Sequence, residues 1–167
     1  MYRHADMAQR GLGDVPEDLL VVAVDDRRCA LRTRDVVEVQ PIVLVDALPS
    51  APAVVEGVID LRGHVVAVVS LRRRFGLADR LAHPGDRLVI VDVRSRRVAL
   101  HVDGAVELRT VRPEEVEPAP PDEAAAYAVG VARLSDGLVV IHDLAAFLAS
   151  DEAVALDSAL ALRSGLP

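Results

Sequence analysis

The groups in this 167-residue chain that can do chemistry are five histidines, one cysteine and a scatter of serines and carboxylates. His4, His64, His83, His101 and His142 stand apart, with no H-x-H or H-E-x-x-H spacing to bring two imidazoles to one metal ion. Ser70 lacks the G-x-S-x-G turn that exposes a nucleophile, and joining it to Asp103 and a histidine rests on composition alone. Gly11-Leu12-Gly13 lacks the strand and helix that frame a nucleotide-binding turn. All 19 basic residues are arginine, so Schiff-base lysines and the P-loop lysine are ruled out. Cys29 cannot form an internal disulfide, which agrees with a reducing compartment, and it reads as a small buried hydrophobe. The residues therefore nominate no catalytic group, no metal ligands and no cofactor, and the chain is read as a non-enzyme.

One arginine has a setting that points to recognition. Val55, Val58, Ile59 and Leu61 on one side, and Val65, Val66, Val68, Val69 and Leu71 on the other, suit a pleated, half-buried surface. Between them lies Asp60-Leu61-Arg62-Gly63, so the segment predicts a hairpin that presents Arg62. Gly57 lets a backbone or a bulge come close, and Gly63 supplies the positive φ of a tight turn. Taken alone, the hairpin leaves two roles open for Arg62, a solvated turn residue or a partner contact.

The elements that position this hairpin read as mostly β. Apolar or alternating runs cover residues 19–24, 29–31, 37–45, 55–61, 65–71, 88–93, 98–102, 105–111, 127–134 and 138–141, with turn signals every 8 to 12 residues or so. That spacing predicts a barrel or sandwich with antiparallel pairing. Asp25-Asp26-Arg27-Arg28, Pro84-Gly85-Asp86 and Ser135-Asp136-Gly137 carry turn residues. The Arg72-Arg73-Arg74 run is expected to be a solvated strand end, and His101 and His142 to be satisfied core or edge residues. Residues 118–122 form a proline-rich crossover loop, too short to separate independent cores. Asp143 can cap a short helix through Leu148, and Ser150-Asp151-Glu152 opens a second helix with acidic residues in its first turn. Its Val154, Leu156, Leu160 and Leu162 form a partly apolar stripe that packs either on the chain's own barrel or on a partner.

Composition narrows the function classes. A hydrophobic fraction of 51% with 2% aromatics means a core packed from Val, Leu, Ile and Ala. A net charge of −7 and few aromatic platforms argue against nucleic acid, which calls for a basic footprint. No apolar run reaches the roughly 20 residues of a membrane span, and residues 1–9 are polar, so the expectation is a cytoplasmic protein without direct membrane insertion.

The hairpin residues Gly57-Val58-Ile59-Asp60-Leu61-Arg62-Gly63, followed by Val65-Val66-Ala67-Val68-Val69-Ser70-Leu71-Arg72, resemble the signature of the chemotaxis coupling protein family, the CheW-like domain. The resemblance extends to Val36-Val37-Glu38-Val39, to Leu48-Pro49-Ser50-Ala51-Pro52, to the strand from Val98 to Ala105, to Pro113 through Pro120, and to the closing runs Gly130–Leu134 and Gly137–Leu144. It runs in order from about Asp18 to about Leu148. Cys29-Ala30-Leu31, Ala67 and Ser70 depart from the family's usual residues at framework positions.

The resemblance implies a mainly β fold of two intertwined five-stranded SH3-like β-barrels with short helices and a C-terminal helix. Residues 1–16 would be a flexible N-terminal segment, 17–149 the two-lobed domain and 150–167 the C-terminal helix and tail. It implies a non-catalytic adaptor that couples the cytoplasmic tip of a methyl-accepting chemoreceptor to the regulatory domain of a CheA-type histidine kinase, recruited to membrane-associated receptor arrays. Val36, Glu38, Gly57, Leu61, Arg62 and Gly63 fall on the segments the family uses to meet partners. For Gly57 and Val36 a purely structural role stays open. A second reading is a regulatory or ligand-sensing module of a non-flagellar pathway such as pilus motility, in which His64 beside Arg62 would suit an anionic ligand.

Overall fold

Short β-branched runs broken by tight turns fold here as two sheets. The computed structural model describes residues 14–119 and 128–164. In chain order its elements are β1 (Glu17–Val24), β2 (Arg27–Arg32), β3 (Val36–Pro41), β4 (Val55–Leu61), β5 (His64–Ser70), α1 (Leu71–Arg74), β6 (Arg87–Val93), β7 (Arg96–Val102), β8 (Gly104–Val111), β9 (Val116–Glu117), β10 (Ala128–Leu134), β11 (Gly137–His142) and α2 (Ser150–Ser164). Short 3-10 turns at Thr33–Asp35, Pro113–Glu115 and Leu144–Phe147 join them. The chain divides into two compact units, each drawn from two stretches of sequence: residues 1–35 with 104–146, and 36–103 with 147–167.

The first unit holds a six-stranded sheet in the order β8-β1-β2-β11-β10-β9. It exceeds the expected five by the two-residue β9, which pairs with β10 through Val131 and Ala132. Alternation along β1 and β11 sends Leu19, Val21, Val139 and Ile141 into a core with Ala30, Val111 and Ala132. Cys29 is buried beside it, and burial pushes its thiol up to about 12, leaving it a small hydrophobe with no thiolate chemistry near neutral pH.

The second unit holds a five-stranded sheet in the order β3-β6-β7-β5-β4. Asp46, beyond the end of β3, bridges back to Val58 of β4, the opposite edge strand, and so draws the two edges of the sheet together. Ile59, Leu61, Val66, Val68, Leu88, Ile90 and Ala99 form its core, with Ile42 and Val45 packed on it. Each fully buried aliphatic side chain contributes about 1.5–3 kcal/mol, so many modest contacts replace the missing aromatics. The aromatic exception is Phe75 against Phe147, edge to face with centroids 5.9 Å apart.

Three expectations are corrected. Pairing is not wholly antiparallel, since β11 runs parallel to β2 and β5 parallel to β7. The run expected over 37–45 stops as a strand at Pro41, where its partner β6 begins at Arg87; one more bond, from the Ile42 amide to the Asp86 carbonyl at 3.2 Å, follows in the same register. The Arg72-Arg73-Arg74 run is a helical turn, capped when the Ser70 hydroxyl accepts from the Arg73 amide at 3.2 Å. Arg72 makes two bonds to Asp103 (2.9 and 2.7 Å), Arg73 binds Asp79 at 3.1 Å and Arg74 binds Glu152 at 2.6 Å, and the Arg74 side chain is only 10% exposed. Of the other expected elements, Tyr127 and most of the proline-rich bridge lie outside the described residues, as do residues 1–13.

Candidate functional site

The β4–β5 connection is a two-residue turn, because Leu61 pairs directly with His64. Arg62 (φ 50°) and Gly63 (φ 86°) both adopt positive φ, the backbone of a type I′ hairpin whose twist matches the strands. The Asp60 carboxylate accepts from the Gly63 amide at 2.7 Å and locks the turn. Leu61, 6% exposed, points into the core. It anchors the hairpin while Arg62, with its side chain 69% exposed, stands outward.

Glu38 of β3 reaches that arginine: Arg62 Nη2 donates to Glu38 Oε2 at 2.5 Å. Along β3 the side chains alternate, with Val36, Glu38 and Gln40 half-buried and Val37 and Val39 exposed. A register shift against β6 between Val36 and Glu38 marks a bulge at the start of the strand, and Val37 and Val39 are exposed on either side of Glu38. Gly57 sits where the 46–47 backbone crosses β4: a Cβ there would lie 2.0 Å from the Asp46 carbonyl oxygen. A register shift between Val55 and Gly57 marks a bulge at the same place. Of the six nominated residues, Glu38 and Arg62 are brought into contact, Leu61 and Gly63 flank the arginine, Val36 lies along β3, and Gly57 braces β4 against Asp46.

Parallel pairing of β5 with β7 puts the β4–β5 and β6–β7 turns at one end of this sheet. A cleft of about 770 Å³ opens there, lined by Arg62, His64, Val65, Arg96 and Arg97, with Leu160 of α2 on its wall. Arg97 holds Asp92 through two bonds (2.8 and 3.0 Å), which keeps the Asp92 carboxyl below its ordinary value, and Arg96 pairs with Asp157. Sequence reasoning missed Arg96 and Arg97, since a parallel neighbour leaves no mark in local periodicity, and it placed Leu160 on an apolar stripe without its site. An arginine-rich β-turn, Arg94-Ser95-Arg96-Arg97, was the available signal. The described residues that line the cleft set charged side chains, Arg62, Asp92, Arg96 and Arg97, around the apolar Leu61, Val65, Val66 and Leu160.

His101 of β7 has a more charged setting than a satisfied core histidine needs. Its Nδ1 lies 2.7 Å from Glu56 Oε1 and its Nε2 2.8 Å from Asp86 Oδ2. Asp86 is fully buried and also takes two bonds from Arg80 (3.0 and 2.7 Å) and one from the His83 amide. Arg80 reaches on to Asp103, which Arg72 also grips. Burial alone would lower the imidazole pKa, but the bonds to Glu56 and Asp86 outweigh it and raise it. Burial would raise the Asp86 carboxyl, but Arg80, His101 and the His83 amide hold it well below the usual carboxylate range. A neutral imidazole can donate to one of two carboxylates only, so this geometry calls for the imidazolium. The cluster fastens the 75–86 segment to β4 and β7.

Among the described residues no group of three His, Cys, Asp or Glu side chains could hold a metal ion, and no helix is long and apolar enough to cross a membrane. The described residues form two small β units, each drawn from two stretches of the chain, and the fold class is mainly β. The family model described as the CheW-like domain matches residues 18–152, and the chain belongs to that family. The chemotaxis protein CheW of Rhizobium meliloti is 30% identical over 150 residues, covering 87% of this chain and 96% of the relative. The chemotaxis protein CheW of Treponema pallidum is 29% identical over 127 residues, covering 71% and 72%. The crystal structure of the scaffolding protein TtCheW from Thermoanaerobacter tengcongensis matches with a TM-score of 0.76 at 28% identity, covering 82% of this chain and 95% of that one.

Proposed function

We propose that this protein is a chemotaxis adaptor that couples the cytoplasmic tip of a chemoreceptor to the regulatory domain of a CheA-type histidine kinase, without a catalytic step of its own. Membership of the CheW-like family supports the adaptor role, and the observation that carries the assignment of the surface is the Glu38–Arg62 bond at 2.5 Å beside the exposed Val37 and Val39. The charged pair, Arg62 exposed and Glu38 half-buried, sets orientation and encounter rate, and the valines supply contact area. Gly57 and Leu61 act one step back, by fixing β4 and the turn, and Gly63 allows the turn its backbone. Each contact is of micromolar strength, about −8 kcal/mol, and assembly into an array at the membrane strengthens it through effective concentration. Co-sedimentation of a receptor-tip fragment with a kinase regulatory domain tests the bridging role. Recovery of the kinase domain with the receptor only when this chain is added is the expected result. Recovery that does not depend on the chain contradicts it.

A further inference from the structure

Helix α2 belongs to the five-stranded unit and docks there by very little. Of its fifteen residues Leu156 and Ala159 are buried, while Val154 and Leu162 face solvent. Two carboxylates, five residues apart, tie it down: Glu152 gives both oxygens to Arg74 Nη2 (2.6 and 2.8 Å), and Asp157 pairs with Arg96. The seat is wider than the helix in it. On one side Leu160 borders the cleft of about 770 Å³ shared with Arg62 and Val65. On the other, Ala159 and Leu162 border a space of about 220 Å³ against Leu48 and Pro49.

We propose that this seat is a docking surface for an amphipathic helix of a partner, one with acidic residues matched to Arg74 and Arg96 and with apolar side chains larger than Ala159 between them, and that α2 holds the seat as a displaceable stand-in. Charge complementarity selects an acidic helix, since two arginines of the seat already receive carboxylates from the helix that occupies it. The mostly apolar space against Leu48 and Pro49 selects a residue bulkier than Ala159, which would bury more area there, while the charged rim of the other flank, Arg62, Arg96 and Arg97, suits acidic side chains. The seat also adjoins the Arg62 turn through Leu160, so releasing α2 would change the wall of the cleft that Arg62 borders. This deepens the adaptor reading by naming the kind of partner segment.

The test uses the full chain and a fluorescent peptide copying residues 150–164 with Ala159→Leu. A Glu152→Gln/Asp157→Asn variant of the chain, its own helix loosened, should bind this peptide about tenfold or more tighter than the unaltered chain, because a larger fraction is open. Equal binding by the two chains, or none by either, overturns the proposal. Hydrogen exchange on the unaltered chain is independent of any variant's folding: α2 amides should exchange as one unit, about a hundredfold or more faster than those of β4 and β5. Protection equal to the strands' overturns it. If the peptide binds but neither the receptor tip nor the kinase domain does, the docking surface stands and the adaptor reading falls. If those two bind and the peptide does not, the reverse holds.

Discussion

The turns Arg62-Gly63 and Arg94-Ser95 share a backbone, both residues of each at positive φ (50° and 86°; 49° and 64°), and they lie at one end of the five-stranded sheet because β5 runs parallel to β7. Each projects an arginine from its first position. In the first turn glycine takes the second position at no steric cost, while in the second Ser95 carries the strain of a left-handed backbone. Arg62 is held by a carboxylate from another strand, Glu38, whereas no described residue pairs with Arg94. The comparison teaches that a type I′ hairpin is enough to project an arginine, and that the strand bringing a counter-charge beside it turns a projected side chain into an oriented one.

Gly57 is the place to break this account first. Gly57→Val would drive a side chain into the Asp46 backbone carbonyl and should cost about 3 kcal/mol or more, read from urea midpoints. Gly63→Ala meets nothing within 4 Å and should lose only about 1 kcal/mol, through its positive φ. Similar losses at the two positions would mean that the close crossing at Asp46 is not what shapes the β4–β5 hairpin.

The two arginines separate next, by binding. Arg62→Ala should weaken receptor-tip affinity about tenfold, or about 1.4 kcal/mol, while Arg94→Ala changes it less than about twofold. Equal effects would put the source of recognition in the general charge of the sheet end rather than in the Glu38-held arginine.

A pH series probes the cluster that steadies β4 and β7 at the other end of the sheet from those turns. His101 has a raised pKa in the fold, so its contribution is complete below its ordinary value of about 6.5 and is lost as pH rises through the higher folded value. Asp86 is held low, so its contribution is already present above the ordinary carboxylate range and is lost only in acid. Thermal melting should therefore fall as the pH is taken upward past neutrality, and His101→Gln should flatten that slope. An equal slope in the variant contradicts the imidazolium.

The smallest effect sharpens the comparison itself. Ser95→Gly relieves a strained turn position and should stabilise the chain by about 0.5–1 kcal/mol, seen as a higher urea midpoint, with partner affinity unchanged.

Much of this was legible in the residues. The β-branched and aliphatic Val55, Val58, Ile59 and Leu61 ahead of the Arg62-Gly63 turn placed β4 at residues 55–61, as found, and the acidic opening of α2 placed its start at Ser150. The end of β3 was not, because Val43, Leu44 and Val45 continue an apolar run that the chain uses outside the strand. Arg72, Arg73 and Arg74 look solvated in one dimension, since their partners Asp103, Asp79 and Glu152 come from three different places in the chain. The same reason hid the His101 cluster: Glu56 and Asp86 are 45 and 15 residues away, and only β-pairing brings them to one imidazole. The resemblance put Glu38 and Arg62 in one set, and the bond between them required the fold.

Titration calorimetry of the unaltered chain and of Glu38→Arg and Arg62→Glu, each against a receptor-tip fragment and against a kinase regulatory domain, tests the central claim most directly. Binding of the unaltered chain to both partners, with each reversal losing about tenfold or more at one of them while the β fold is kept, is the predicted result. Reversals that bind as the unaltered chain does, or an unaltered chain that binds neither partner, would contradict it.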